Sequence, residues 1–271
     1  YYNLFKMRRE FDVVHCFGRL LYLLPFLLLN MPKIQSYGCP ISYKKIIMAN
    51  RLSRGTLTFT ACSKACIKDV KYIGDWKIIY NGILMNKYEY SPVADKDSYL
   101  VFLGRINRIK GLHTAISVAR AAKKRLIIAG NVDVNIEDGK YFKEEIEPMI
   151  NGKDVKYIGP VDDYQKSELL GGAQALLFPI EWDEPFGLVM IEALACGTPV
   201  IAFDKGAVRE IIEDRVTGFV CSNVQQMIEA VKDIGSIDRV KCRQSVERRF
   251  SDDVIVKEYN DLYYSVISNA G

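Results

Sequence analysis

Ala175-Leu-Leu-Phe-Pro-Ile-Glu-Trp-Asp-Glu-Pro-Phe-Gly-Leu-Val-Met-Ile-Glu-Ala-Leu-Ala-Cys-Gly-Thr-Pro-Val-Ile-Ala-Phe203 contains one complete strand–helix–strand repeat. The runs Ala175–Pro179 and Pro199–Phe203 are short and apolar, as strands buried on both faces are. Between them a Pro185-Phe186-Gly187 turn opens an apolar helical stretch, and Gly197 closes it. Glu184 stands ahead of that helix and Glu192 inside it. The first amides of a helix are unpaired and its dipole end is positive, so the turn is a natural anion site. An anion site flanked by two acids suits a ligand carrying both phosphate and hydroxyl groups. A nucleotide sugar is such a ligand.

The same alternation extends outward. Apolar runs predict strands at Ser98–Leu103, Arg125–Ala129, Val155–Ile158 and Gly218–Val220, besides the two above. Helical patterns lie between them at Gly111–Lys124, Tyr141–Ile150, Asp163–Leu170, Gly187–Cys196 and Gly206–Glu213. Short turns joining strand to helix imply an α/β fold with a parallel sheet covered on both faces, a doubly wound Rossmann-like domain. The first ninety residues show the rhythm more weakly. Strands are expected at Asp12–Val14, Lys33–Ser36, Thr56–Thr60 and Lys77–Tyr80, and helices at Arg19–Leu29, Tyr43–Leu52 and Ser63–Tyr72. Asn81–Asp97 is polar, carries Gly82 and Pro92, and reads as a linker. Ser251-Asp252-Asp253 starts a last helix over Val254–Ile267. The expected organisation is a partial Rossmann-like domain over 1–90, a nucleotide-sugar domain over 91–250 and a helix over 251–271 that packs back on the first domain.

The chain of 271 residues is 49% apolar and 26% charged, with a formal charge of +4, so it has ample material for a core. That mild charge, with no Lys/Arg run interleaved with aromatics, argues against nucleic acid as a partner. The seven cysteines are scattered and read as free thiols of a reducing cytoplasm. The largely apolar run from Leu20 to Met31, twelve residues long, is too short to cross a bilayer. It reads as a buried helix, with a peripheral membrane contact as the alternative.

In doubly wound sheets ligands sit beyond the carboxyl ends of the strands, and the polar candidates cluster there. Gly104-Arg105 follows one strand and Lys110-Gly111 precedes the next helix. Gly104 permits close backbone approach, Arg105 offers a planar fork for phosphate oxygens, and Lys110 a point charge. Together they suit a leaving diphosphate. Glu192 lies about 7.5 Å along the helix axis from Gly187, close to the span from a diphosphate to a ribose. A carboxylate accepts the two hydrogen bonds of a vicinal diol. Glu181, Asp183 and Glu184 could also ligate a metal, but no histidine or further carboxylate shares their spacing, and no metal is expected. His15 ends the strand Asp12-Val-Val-His15, where a functional and a structural role stay open; His113, within a helix, reads as structural.

These residues resemble glycosyltransferase family 4, the retaining GT-B enzymes. The resemblance rests on Phe102-Leu-Gly-Arg105 with Lys110-Gly111, on Tyr157-Ile-Gly-Pro160, and on Glu184-Pro-Phe-Gly through Glu192-Ala-Leu-Ala-Cys-Gly-Thr-Pro-Val200. Asp204-Lys-Gly206 and Glu210 through Phe219 continue it. It implies a GT-B-like pair of Rossmann-like domains with the donor on the second. Arg105 and Lys110 would hold the diphosphate. The amides of Phe186, Gly187 and Leu188 would contact phosphate and sugar, Glu184 the hexose and Glu192 the ribose, with the base near Gly130, Tyr157 and Ile158. It also implies metal-independent transfer with retention, through same-face attack assisted by the donor phosphate. The family's first strand and glycine-rich loop have no counterpart ahead of Phe11, so the first domain is expected to be incomplete. Where the family often carries Thr-His-Gly, this chain has Ser36-Tyr37-Gly38. His15 and Tyr37 are the candidates on the sugar and acceptor side.

The expected activity is transfer of a hexose from a UDP- or GDP-sugar, with no further cofactor, to a carbohydrate, lipid or small-molecule acceptor. The alternative is a non-catalytic sugar-nucleotide-binding module that needs a partner chain, for which an unpaired edge in the first domain would favour an oligomer. A dehydrogenase is disfavoured, because no strand is followed by Gly-x-Gly-x-x-Gly with an acid about twenty residues on. The expected location is the cytoplasm, with membrane association as a variant.

Overall fold

The computed structural model describes residues 2–39, 41–94, 98–133 and 137–269. Two compact units divide the chain: Tyr1–Gly82 with Asp253–Gly271, and Ile83–Asp252. The change at Gly82–Ile83 precedes the expected position at 90. Ile83 is drawn into the second unit by its amide, which donates to the Phe250 carbonyl at 3.0 Å, and by a bridge to Ser251. The expected linker residues 95–97 lie outside the described residues.

The first unit is built on a four-stranded parallel sheet in the order β1 (Val14–Cys16), β2 (Lys33–Tyr37), β3 (Leu57–Ala61), β4 (Asp75–Ile78). Its first strand falls later than the expected Asp12–Val14, because Val14 is the first residue to find a partner, Lys33. On one face Leu23, Phe26, Leu27, Ile46, Leu57 and Phe59 form the core. The run 19–29 is not one helix. A 3-10 turn, Leu20–Leu23, hands over to a short helix, Leu24–Leu27, at Pro25, which has no N–H to continue the ladder. The expected helix Ser63–Tyr72 is likewise replaced by tighter turns. The amides of Ile67, Val70 and Ile73 each donate three residues back, and only Ala65–Ile67 is regular. Ile67, Val70 and Ile73 recur every third residue, which matches a three-residue turn rather than an α-helix.

The helix Asp252–Ser268 lies on the other face, where Leu262 packs on Ile34 and Ile79. A polar chain runs through this contact. His15 Nδ1 is 2.8 Å from Tyr263 Oη, its Nε2 is 2.6 Å from Ser36 Oγ, and Ser36 Oγ is 2.5 Å from Thr60 Oγ1. Burial depresses the His15 imidazole to about 4, so the ring is neutral at physiological pH. Tyr37 packs its ring against Phe59 and Trp76, and burial raises its phenol to about 12.

The second unit holds six parallel strands: β5 (Leu100–Leu103), β6 (Leu126–Ala129), β7 (Val155–Tyr157), β8 (Ala175–Phe178), β9 (Val200–Phe203) and β10 (Gly218–Cys221). Their order is β10-β9-β8-β5-β6-β7. The chain thus winds outward from β5 in one direction and outward from β8 in the other. β5 and β8 pair directly, Leu100 with Ala175 and Val101 with Leu176. Two helices of this unit lie where the sequence reading placed none: Val224–Asp233, capped by Asn223 accepting from the Gln226 amide, and Arg239–Arg249, capped by Asp238. The expected helix 141–150 begins earlier, at Glu137–Tyr141, and continues as a π-turn Phe142–Ile146 before Pro148 tightens it. Among the described residues no helix is long and apolar enough to cross a membrane.

Lys33 is fully buried in β2. Its ammonium donates to the Leu29 carbonyl at 2.7 Å, to the Met31 carbonyl at 2.6 Å and to Thr56 Oγ1 at 2.6 Å, while burial lowers it to about 8. Lys33→Met strips a charged donor from two main-chain carbonyls and is expected to cost at least about 2 kcal/mol in denaturant unfolding; an unchanged midpoint would contradict this. His15 binds its proton more weakly folded than unfolded, so its contribution is complete above pH 6.5 and is lost as pH falls toward 4. The melting temperature of wild type should therefore drop more steeply over that interval than that of His15→Gln. Equal slopes would show that His15 does not titrate as its burial requires.

Candidate functional site

The winding of the second unit reverses between β5 and β8, and an open α/β sheet leaves its crevice at such a switch point. The chain leaving β5 runs Gly104–Gly111 and the chain leaving β8 runs Pro179–Gly187, so both exits meet there. They are tied by the Glu181 amide, which donates to the Ile109 carbonyl at 2.9 Å. They are also in direct main-chain contact. A Cβ on Gly111 would lie 2.0 Å from the Pro179 carbonyl oxygen, so only glycine fits.

This junction brings Lys110 onto Glu184. The Lys110 ammonium lies 2.5 Å from Glu184 Oε2, and the Trp182 indole N–H donates to the same oxygen at 2.9 Å. Both partners are largely enclosed, Lys110 at 22% and Glu184 at 12% side-chain exposure. The cation and the acid read separately from the sequence are therefore one ion pair. From the other side, the turn after β9 closes on the acid. The Ala207 amide donates to the Glu184 carbonyl at 2.9 Å, and a Cβ on Gly206 would meet that carbonyl at 2.2 Å. Glu184 also packs on the turn that opens the helix Leu188–Ala195, with its Cγ 3.4 Å from the Cβ position of Gly187.

Phe186 turns its ring into the core against Phe250, so only its main chain is on the site side, whereas Leu188 is exposed. At the neighbouring exits, the Gly104 amide donates to the Ala129 carbonyl, the Gly130 amide to the Gly159 carbonyl at 2.9 Å, and Tyr157 Oη to the Gly130 carbonyl at 2.8 Å. Ile158 is exposed beside them. Arg105 is 60% exposed and meets Asp138, of the helix Glu137–Tyr141, at 3.6 Å. Glu192 is held separately, by Tyr88 Oη at 2.8 Å and the Lys166 ammonium at 2.7 Å. His15 and Tyr37 belong to the first unit.

Three residues were not singled out from the sequence. Trp182 supplies the second donor to Glu184, and Tyr88 and Lys166 complete Glu192. The signal for Lys166 and Tyr88 was indirect: Glu192 stands in a helix of apolar neighbours, where an acid needs a partner. His113, read as structural, joins Tyr141 Oη at 2.8 Å to Glu181 at 2.9 Å, and so braces the loop after β8.

The model of the family glycosyl transferases group 1 matches residues 87–248. N-acetyl-alpha-D-glucosaminyl L-malate synthase of Bacillus anthracis is 26% identical over 196 residues, covering 67% of this chain and 49% of the relative. The human alpha-1,3/1,6-mannosyltransferase ALG2 is 27% identical over 156 residues, covering 52% of this chain and 37% of the relative. The chain spans about half the length of the curated relatives it matches. Among solved structures, Anabaena Alr3699/HepE in complex with UDP and glucose superposes with a TM-score of 0.77 at 20% identity, covering 97% of this chain and 81% of that one. The two parallel-sheet units thus have the GT-B fold of such proteins, and the junction of β5 and β8 falls within the matched segment. On that match this chain belongs to the glycosyl transferases group 1 family.

Proposed function

We propose that the second unit binds a nucleoside-diphosphate hexose and that the protein transfers its hexose, with retention and without a metal, to an acceptor. The observation that carries this reading is the Lys110–Glu184 pair beside the opening turn of the helix Leu188–Ala195, at the switch point of the sheet. Positive charge converges there from the ammonium and from the helix amides. A diphosphate entering the site would accept a hydrogen bond from the Lys110 ammonium, which now donates to Glu184, and the ammonium would stabilise the charge that grows on the phosphate as the glycosidic bond breaks. Glu184, held in place by Trp182, would accept hydrogen bonds from the hexose. The arriving Arg105 would exchange its exposed pairing with Asp138 for phosphate oxygens. Glu192 would receive the ribose hydroxyls, and the base would stack near Gly130, Tyr157 and Ile158. UDP in the Anabaena structure supports a uridine donor, and GDP-sugars are the alternative.

Calorimetry with UDP-glucose, UDP-N-acetylglucosamine and GDP-mannose, together with an assay for nucleotide release, tests this reading. Binding of one of them with release is expected. Binding without release would assign a binding module, and failure to bind any would overturn the proposal. Arg105→Ala and Glu192→Ala should each weaken nucleotide binding at least tenfold, from the loss of charged hydrogen bonds worth about 1.5–3 kcal/mol. Unfolding should be followed alongside, since Glu192→Ala removes the nearer of the two carboxylates at the Lys166 ammonium.

A further inference from the structure

Glu192 is not a lone acid on a helix. Two donors from separate segments converge on its Oε1: Tyr88 Oη at 2.8 Å and Lys166 Nζ at 2.7 Å. Among the described residues Oε2 has no hydrogen-bond partner, and it is not among the buried unpaired atoms, so it is open to solvent. The carboxylate retains 12% exposure, and Lys166 18%. One oxygen is therefore fixed by protein and the other offered outward.

Both donors are themselves anchored. Tyr88 is buried; its amide donates to the Met85 carbonyl and its carbonyl accepts from Arg243 Nη1 at 2.8 Å. Lys166 rises from the first turns of the helix Asp163–Gly172, whose capping box at Asp162 and Gln165 fixes its start. Its ammonium also lies 3.4 Å from Asp163 and 3.4 Å from Tyr88 Oη. Burial alone would lower this ammonium, but the hydrogen bond and charge of Glu192 outweigh it and raise Lys166 above the ordinary lysine range. Burial, then the Glu192 charge, raises the Tyr88 phenol, so it remains a neutral donor.

A glutamate carboxyl rotates broadly about its last torsion, so one held by a single contact presents both oxygens in many orientations. A vicinal diol is read well only when the accepting oxygens are preset. We propose that Tyr88 and Lys166 are positioning residues for ribose recognition: by fixing Oε1 they aim Oε2 of Glu192 at the 2′- and 3′-hydroxyls of the bound nucleotide. The proposal rests on the reading of Glu192 as the ribose acceptor. It gives the first residues of the second unit, through Tyr88, a part in selecting ribonucleotides over their deoxy counterparts.

A merely structural Glu192–Lys166 pair would affect all nucleotides alike. The test is calorimetric titration of wild type, Lys166→Met, Tyr88→Phe and Lys166→Arg with UDP and GDP, and with the 2′,3′-dideoxy analogue of whichever binds. Wild type should prefer the ribonucleotide at least tenfold. Lys166→Met should reduce that preference to about twofold or less by weakening the ribonucleotide while leaving the dideoxy analogue unchanged. Tyr88→Phe should reduce it partly, and Lys166→Arg should preserve most of it. Unchanged dideoxy binding also reports that each variant is folded. A wild-type preference that persists in Lys166→Met, or a loss shared equally by both nucleotides, would overturn the positioning role alone. Absence of any wild-type preference would remove Glu192 from the ribose site, and with it this role. No wild-type binding of either ribonucleotide would overturn the proposed function itself.

Discussion

The pairing of β5 with β8 is the constraint on which the candidate site depends. It sets two strand exits side by side, and the main chains then approach so closely that no side chain fits at residue 111 against the Pro179 carbonyl. Lys110 precedes Gly111, and Glu184 lies on the loop that leaves Pro179, so the ion pair between them follows from how the backbone packs. The turn after β9 closes the other side, where Gly206 rests on the Glu184 carbonyl. A charged pair enclosed this far costs desolvation, and it persists because its partners are held at hydrogen-bond distance by the sheet.

The two acids of this unit follow one pattern. Glu184 Oε2 takes donors from Lys110 and Trp182, and Glu192 Oε1 takes donors from Tyr88 and Lys166. In each case one cation and one neutral ring donor share a single oxygen. A partly buried carboxylate needs such partners to offset the hydration it loses. Concentrating both donors on one oxygen leaves the other without a protein donor among the described residues.

Much of the second unit was legible because its strands are short apolar runs set off by glycine and proline, and each of the six appears where it was expected to within a residue or two. The helix Val224–Asp233 was missed although Asn223 caps it and Met227, Ala230 and Val231 mark a buried stripe. Arg239–Arg249 gave less to read: six of its eleven residues are charged, and it buries only Cys242, Ser245 and Val246. In the first unit the helix expected at Ser63–Tyr72 did not form, and the chain instead took three-residue turns. The strict three-residue spacing of Ile67, Val70 and Ile73 favours the tighter turn.

Residue order alone set the alternation of strands and helices, the acid–turn–helix segment from Glu184 to Glu192, and hence the family, because these are local patterns that sequence periodicity carries directly. Strand order decided the rest. Lys110 and Glu184 are 74 residues apart, and Tyr88 and Glu192 104 apart, in the chain. No periodicity within either segment relates them. They meet because hydrogen bonding between β5 and β8, and packing of the 83–92 segment along the helices Asp163–Gly172 and Leu188–Ala195, fold those distances away.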